Sequence, residues 1–411
     1  MTRVAVLSDI HFGQLARTDY FAAPGERIKN NSSGDMPLGE GLIKLMNSMK
    51  PEYFFVAGDL TSAAEPQEFL YCEKKIMEIA SEVGVKKENI ICCAGNHDVD
   101  WKISNLFTIK EERFDSVDEV LAKRREKYQA IASNVARICM DELELAGEGP
   151  VPLSGVSEAE DFVVFVLNTS LKCGPEQKFS HGELTEKQLA WFEEQLKAYS
   201  SDSRKKIVLM HHHPFNYPFP TISEDISQIK EGAEFIEIAE KNGVDFVIHG
   251  HRHHPKVKTV LTEGCSPVTY FCAGSLAVNA EHRSNGEIPN TVHFIDIDKD
   301  KDYFVIYNYS YTGTEGWKKT HNTKATPLDD VMKVGKVFSE DKCREVLRVY
   351  KGKTEPLIKL EWQLLDESLQ FLTYREVMSL INEELGEIYQ IIGNFPKKVC
   401  LLRKEDGHEI C

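Results

Sequence analysis

Short, wholly apolar runs, each ended abruptly by Asp, Asn, Gly or His, recur through the first 255 residues of this chain. Arg3–Leu7, Tyr53–Ala57, Ile90–Ala94, Phe162–Leu167, Ile207–Met210 and Asp245–Ile248 are short and rich in β-branched and aromatic side chains. Such runs predict buried strands. Between several of them the apolar spacing turns helical, over 42–49, Pro66–Val83, Leu184–Ala198 and Ala233–Lys241. Alternating strands and helices imply strands covered by helices. After residue 255 the pattern becomes a succession of strands, near Lys256–Leu261, Val268–Cys272, Thr291–Ile297 and Tyr303–Tyr309. The expected fold is α/β, with two packed mixed β-sheets flanked by helices.

Three stretches depart from this rhythm. Residues Gly13–Gly41 are polar and longer than an ordinary connection. Residues 101–148 interrupt the alternation, and Val117–Leu145 has helical spacing. That segment is expected to be a helical insertion over the site. Past Thr320 the chain becomes helix-rich, with helices over 341–350 and 357–392 and one strand at Val399–Arg403. The expected organisation is a catalytic domain over 1–320 and a helix-rich C-terminal module over 321–411.

Composition narrows the classes of function. Of 411 residues, 42% are hydrophobic and 28% charged, which is the balance of a globular protein. No apolar stretch approaches the ~18 residues that span a membrane. The first strand runs directly into Asp9-Ile10-His11, so removal of a leader would delete a motif. The formal net charge of −16 lacks the basic footprint of a protein that tracks long nucleic acid. Lys86-Lys87, Arg204-Lys205-Lys206 and Lys318-Lys319 read as solvated surface charge. Ten cysteines without a CxxC pair disfavour a zinc knuckle or redox motif and point to a reducing, cytoplasmic compartment.

The chemistry lies at the strand ends. Asp9 and His11 are two apart, so alternation turns both to one side. Gly58-Asp59 puts a carboxylate after a residue that permits a sharp turn. Gly95-Asn96-His97-Asp98 offers an amide oxygen, a histidine suited to proton transfer and a carboxylate that could fix its tautomer. Of His211, His212 and His213, alternation lets at most two face one side. His211 is the ligand candidate, and the other two are expected behind it or facing substrate. His251 and His253 repeat the two-apart geometry. His249 and His254 are expected to be structural, and His181, His282, His293, His321 and His408 non-catalytic. Oxygen and imidazole ligands in this number suit two divalent ions sharing a carboxylate, a machinery for attacking phosphate esters.

In order, these blocks resemble the calcineurin-like metallophosphoesterase superfamily, whose pattern is DxH, GD, GNH[DE], H and GHxH. The resemblance covers about residues 3–310 with every block present. Asn168-Thr169-Ser170, Gly182, Leu184, Gln188-Leu189, Trp191-Phe192, Leu196 and the strand into His211-His212-His213-Pro214 look like its class III cyclic-nucleotide phosphodiesterase branch. Asp98, where protein phosphatases use Glu, fits that branch better.

The resemblance implies a four-layer α-β-β-α sandwich. It implies one ion held by Asp9, His11, Asp59 and His253, and a second by Asp59, Asn96, His211 and His251. Asp59 would bridge them, with Mn2+, Fe2+/Fe3+ or Zn2+ as the metal. A metal-bridging hydroxide would attack the phosphorus and His97 would protonate the leaving oxygen. The expected function is a phosphodiesterase acting on a small nucleotide-like substrate. The alternatives are a nuclease, or a phosphoesterase recruited by a protein partner through its C-terminal module.

Overall fold

In the computed structural model the chain is described over residues 1–25, 37–99, 154–170, 173, 181–215, 227–323, 326–361, 365–395 and 398–404. The expected insertion at 101–148 lies outside these residues.

The apolar runs form strands. In the first half these are β1 (Thr2–Leu7), β2 (Tyr53–Ala57) and β3 (Ile90–Cys93), then β4 (Gly155–Glu158), β5 (Phe162–Val166), β6 (Lys205–Leu209) and β7 (Phe246–His249). Four helices accompany them: α1 (Leu38–Met49), α2 (Pro66–Val83), α3 (Glu186–Ala198) and α4 (Gly232–Lys241). The later strands are β8 (Lys256–Val260), β9 (Val268–Cys272), β10 (Asn290–Ile297), β11 (Phe304–Thr312), β12 (Gly316–Lys319) and β13 (Val331–Val334). One sheet runs β12-β11-β10-β1-β2-β3 with β13 added on β11; the other runs β4-β5-β6-β7-β9-β8. Both are mixed. β1, β2 and β3 pair in parallel, as do β5, β6 and β7, while β10 is antiparallel to β1.

Period-2 alternation divides each central strand between two cores. Val4, Val6, Phe55, Ala57, Ile91 and Cys93 face Phe162, Val164, Val166, Ile207 and Leu209 of the other sheet. Their neighbours Ala5, Leu7, Phe54, Val56, Ile90 and Cys92 turn outward onto α1 and α2. Val163, Phe165 and Val208 turn onto α3 and α4. The result is four layers, helix, sheet, sheet, helix.

Local chemistry sets the helix ends. α2 begins with Pro66 behind a Glu65–Glu68 capping box and stops at Gly84, which is left-handed at φ +80. α3 begins with a Thr185–Gln188 capping box.

The first sheet continues past residue 320. β13 pairs with β11, and Leu328, Met332 and Val334 enter the core between the sheets. Beyond it lie α5 (Glu340–Arg348), β14 (Leu357–Glu361), α6 (Glu367–Gln370), α7 (Tyr374–Leu385), β15 (Tyr389–Phe395) and β16 (Lys398–Arg403). The strand expected at 399–403 is joined by two others, in the order β14-β16-β15, so 357–392 is not helical throughout. These elements share an apolar core of their own, built on Leu347, Leu360, Leu369, Val377, Ile381, Leu385 and Leu401. Among the described residues no helix is long and apolar enough to cross a membrane.

Candidate metal centre

The ends of β1, β2, β3, β6 and β7 bring the predicted residues together. The main chain after β1 is stitched to the main chain after β2: Asp9 N–H donates to Gly58 O (3.1 Å), His11 N–H to Asp59 O (2.9 Å) and Phe12 N–H to Leu60 O (2.8 Å). Gly250 N–H likewise donates to His211 O at 3.1 Å. Asp9, His11, Asp59, His251 and His253 all have left-handed backbones, with φ of 49, 50, 50, 72 and 51°. None is glycine, and each such conformation costs about 1–3 kcal/mol, which the surroundings must offset. The stitching holds Asp9, His11 and Asp59, and the His251 N–H is held by the Asp9 carboxylate at 3.1 Å.

Two groups result. Asp9, His11, Asp59 and His253 each offer an atom within 4.8 Å of the others. His253 Nε2 lies 3.1 Å from Asp9 Oδ1 and 3.2 Å from His11 Nε2. In the second group His251 Nδ1 is 2.8 Å from Asn96 Oδ1 and 3.3 Å from His211 Nε2, which is 3.1 Å from Asn96 Oδ1. Asp59 lies between the groups. Its Oδ2 is 3.5 Å from His11 Nε2 and 3.3 Å from His211 Nε2, while its Oδ1 accepts the His97 N–H at 2.8 Å.

These residues fit divalent cations. His211 Nδ1–H is spent on Ala57 O (2.7 Å) and His253 Nδ1–H on His282 O (2.7 Å). The lone pair of each Nε2 therefore points at other acceptors. Buried His11 Nδ1 has no hydrogen-bond partner among the described residues. Acceptors facing acceptors in a buried site call for a proton or a cation. Borderline nitrogen and hard oxygen donors suit Mn2+, iron or Zn2+.

The electrostatics agree. Burial pushes the Asp59 carboxyl up, but the imidazoles of His211, His97 and His11 hold it well below its ordinary value. Burial pushes His211 down, yet Asp59 carries it up to about 9. Burial keeps His11 and His251 neutral, the ligand form of imidazole.

The remaining motif residues take different places. His97 is half-buried at the mouth, its ring 4.7 Å from that of His11. Its Nδ1–H is accepted by Ser62 O at 2.8 Å. The orienting part was expected of Asp98, and here the Ser62 carbonyl meets that nitrogen. The Asp98 carboxylate accepts the N–H groups of Leu60 (3.2 Å), Thr61 (2.9 Å) and Gly95 (2.9 Å) and the Thr61 hydroxyl (3.0 Å). It pins the loop after β2 to the loop after β3. His212 is buried, with Nδ1 2.8 Å from Thr169 Oγ1 and Nε2 3.9 Å from Cys173 Sγ. A His212 nitrogen also comes within 4.8 Å of ligand atoms of His211 and His251. His249 is buried and held down to about 3 by that burial.

Sequence reasoning missed the supports. Ser62 lends His97 its carbonyl and donates its hydroxyl to His11 O at 2.7 Å. Ser8 Oγ donates to Asp9 Oδ2 (2.5 Å), and Ser275 Oγ to Asp9 O (2.8 Å). Thr61 and Ser62 directly follow Gly58-Asp59-Leu60, and this hydroxyl pair is the signal that was available. Ser275 left none.

A model of the calcineurin-like phosphoesterase family matches residues 2–255. The chain belongs to that family and is a metal-dependent phosphoester hydrolase. The family uses two divalent metal ions, and this site has two donor groups able to hold them. No protein of curated function matches the chain. Among solved structures it resembles a dimetal phosphatase from Danio rerio, at 12% identity over 81% of this chain and 98% of that one, with a TM-score of 0.47. It resembles a purple acid phosphatase from yellow lupin at 13% identity over 77% and 52%, with a TM-score of 0.45. A putative 5'-nucleotidase from Staphylococcus aureus is 12% identical over 83% and 56%, with a TM-score of 0.37.

Proposed function

We infer that this enzyme hydrolyses phosphodiesters of small, nucleotide-like compounds. One divalent ion would be held by Asp9, His11, Asp59 and His253, the other by Asp59, Asn96, His211 and His251. The observation that carries this reading is Asp59 Oδ2, within 3.5 Å of a nitrogen in each group. Bound there, two ions lower the pKa of water toward neutrality and draw charge from phosphoryl oxygens.

The protein's own groups supply the rest. Asp59 is shared between the groups through Oδ2 and held in place through Oδ1. The Ser62 carbonyl takes the Nδ1–H of His97, so Nε2 is the nitrogen that faces the reaction and carries a proton to the leaving oxygen. Asp98 keeps the two loops in register. In the middle segment, Gln188 Nε2 donates to Asn168 O (2.8 Å) and Asn168 Oδ1 accepts Ser170 N–H (2.9 Å). Thr169 Oγ1 meets both His212 Nδ1 and His212 N–H. The residues that resemble the class III phosphodiesterases thus brace the strand end bearing His211. The net charge of −16 favours a small substrate over long nucleic acid.

The test is hydrolysis of bis-p-nitrophenyl phosphate against p-nitrophenyl phosphate by Mn2+-loaded protein, with a chelated control. Preference for the diester, lost on chelation, supports the reading. Preference for the monoester makes the enzyme a phosphatase.

A further inference from the structure

We propose that His282 binds substrate, donating an imidazole N–H to an oxygen of the phosphoester held by the centre. The proposal rests on the phosphoesterase reading above. In the sequence His282 is one isolated histidine. In the fold it is exposed, and its ring stands 6.4 Å from that of buried His11, nearly parallel at 25°. Its own main-chain oxygen accepts the Nδ1–H of His253 at 2.7 Å. The backbone of this residue is therefore fixed to a candidate ligand, while its side chain stays on the solvent side. His97 flanks the same His11 ring. Two accessible imidazoles thus border the first donor group.

The loop that carries His282 is braced from inside. Arg283 is only 2% exposed, and its guanidinium donates from Nε to Val278 O at 2.9 Å and from Nη1 to Ile288 O. Asn290 Nδ2 also donates to Val278 O (3.0 Å), and Arg17 Nη1 donates to Asn290 Oδ1 (2.9 Å). Main-chain bonds from Arg17 N–H to Ala277 O (2.7 Å) and from Asn279 N–H to Leu15 O (2.8 Å) tie the segment to the loop after β1. Burying a guanidinium beside a surface histidine is costly. A solvated histidine on an idle loop gains nothing from it. A residue that must meet one oxygen of a bound ester does, because a donor misplaced by an ångström forfeits the contact.

The test uses full-length, Mn2+-loaded protein as wild type, His282→Ala and His282→Asn, the last keeping a donor. Calorimetry reads Mn2+ uptake and inorganic phosphate affinity, and steady-state kinetics with bis-p-nitrophenyl phosphate separates KM from kcat. Mn2+ uptake should stay at the wild-type level in both variants, because His253 leans on a main-chain oxygen. Phosphate affinity and kcat/KM should fall about ten- to a hundredfold in His282→Ala, mostly through KM, and recover substantially in His282→Asn. Wild-type phosphate affinity and kcat/KM in His282→Ala would overturn the proposal and leave the phosphoesterase reading standing. Loss of Mn2+ uptake in that variant also overturns it, making His282 a support for the ligands. Wild-type protein that takes up no Mn2+ and binds no phosphate overturns both.

Discussion

Gly58 and Gly84 share almost one backbone conformation, φ +81 and +80, in very different surroundings. A Cβ on Gly84 meets nothing within 4 Å. A Cβ on Gly58 would stand 2.5 Å from His211 Nδ1, 2.8 Å from His211 Cγ and 2.9 Å from Gly95 Cα. Alanine at either site incurs the left-handed cost, about 1–2 kcal/mol. At Gly58 an overpacking cost of about 1–3 kcal/mol is added, because the ring and the backbone it meets are both fixed. Gly84→Ala is thus the control that cancels the backbone contribution. Gly58→Ala should melt lower than Gly84→Ala by about 2–4 °C for each kcal/mol of overlap. It should also displace His211, whose Nε2 lies 3.1 Å from Asn96 Oδ1. Mn2+ affinity should then drop roughly 10–100-fold, the range for disturbed ligand supports. Differential scanning fluorimetry and Mn2+ titration calorimetry on both variants read the two effects. Equal melting points in Gly58→Ala and Gly84→Ala would refute the packing argument, and a lower melting point for Gly58→Ala with wild-type Mn2+ binding would count against His211 as a ligand.

Asp59→Asn should leave hydrolysis undetectable and reduce Mn2+ per chain measured by elemental analysis; near-wild-type turnover would sink the shared-carboxylate reading. His97→Ala should keep its metal and lose rate by roughly 10²–10⁴-fold, and a variant that loses metal instead would make His97 a ligand. A chain ending after Gly335 should remain soluble and hydrolyse a model diester, because the catalytic sheets are then complete. A chain ending after residue 324 should aggregate in expression trials, because it strips β13 and buried Leu328, Met332 and Val334. Burial holds His293 at about 4, below its ordinary 6.5, against the pull of Asn308 Oδ1 and Ala273 O. The unfolded chain therefore binds the proton more readily between these values. This histidine's stabilising share is full above 6.5 and lost as pH falls toward 4, about 3 kcal/mol in all. Unfolding midpoints of His293→Gln should be flatter with pH over that window, and an unchanged slope would contradict it.

The central strands were legible because a strand buried on both faces must be apolar throughout, and Val4–Leu7 or Phe54–Ala57 admit few other readings. The site was legible because each such strand ends at once in side chains that bind cations or protons. The main-chain partners of Asp98 were not legible, for a physical reason. Its partners are main-chain groups at Leu60, Thr61 and Gly95, and no residue type advertises a backbone N–H. The left-handed turns at Asp9, His11, Asp59, His251 and His253 were invisible too, since none is glycine. Leu357–Glu361 alternates buried and exposed positions but is too short to stand out among neighbouring helix formers. β13 was lost in the change of composition after Thr320.

The two donor groups share one property of topology. Each draws on both sheets: Asp9, His11 and Asp59 from one with His253 from the other, then Asp59 and Asn96 with His211 and His251. A cation in either group would therefore be a rivet through the sandwich, adding to the apolar contacts and to the hydrogen bonds that cross between the sheets, such as those from His211 Nδ1–H to Ala57 O and from His251 N–H to Asp9 Oδ1. On the proposed ligand set, residues from Asp9 to His253 would all have to be in place before it could close. The metal would then reward only the finished arrangement, and its loss would weaken the seam between the sheets before either sheet.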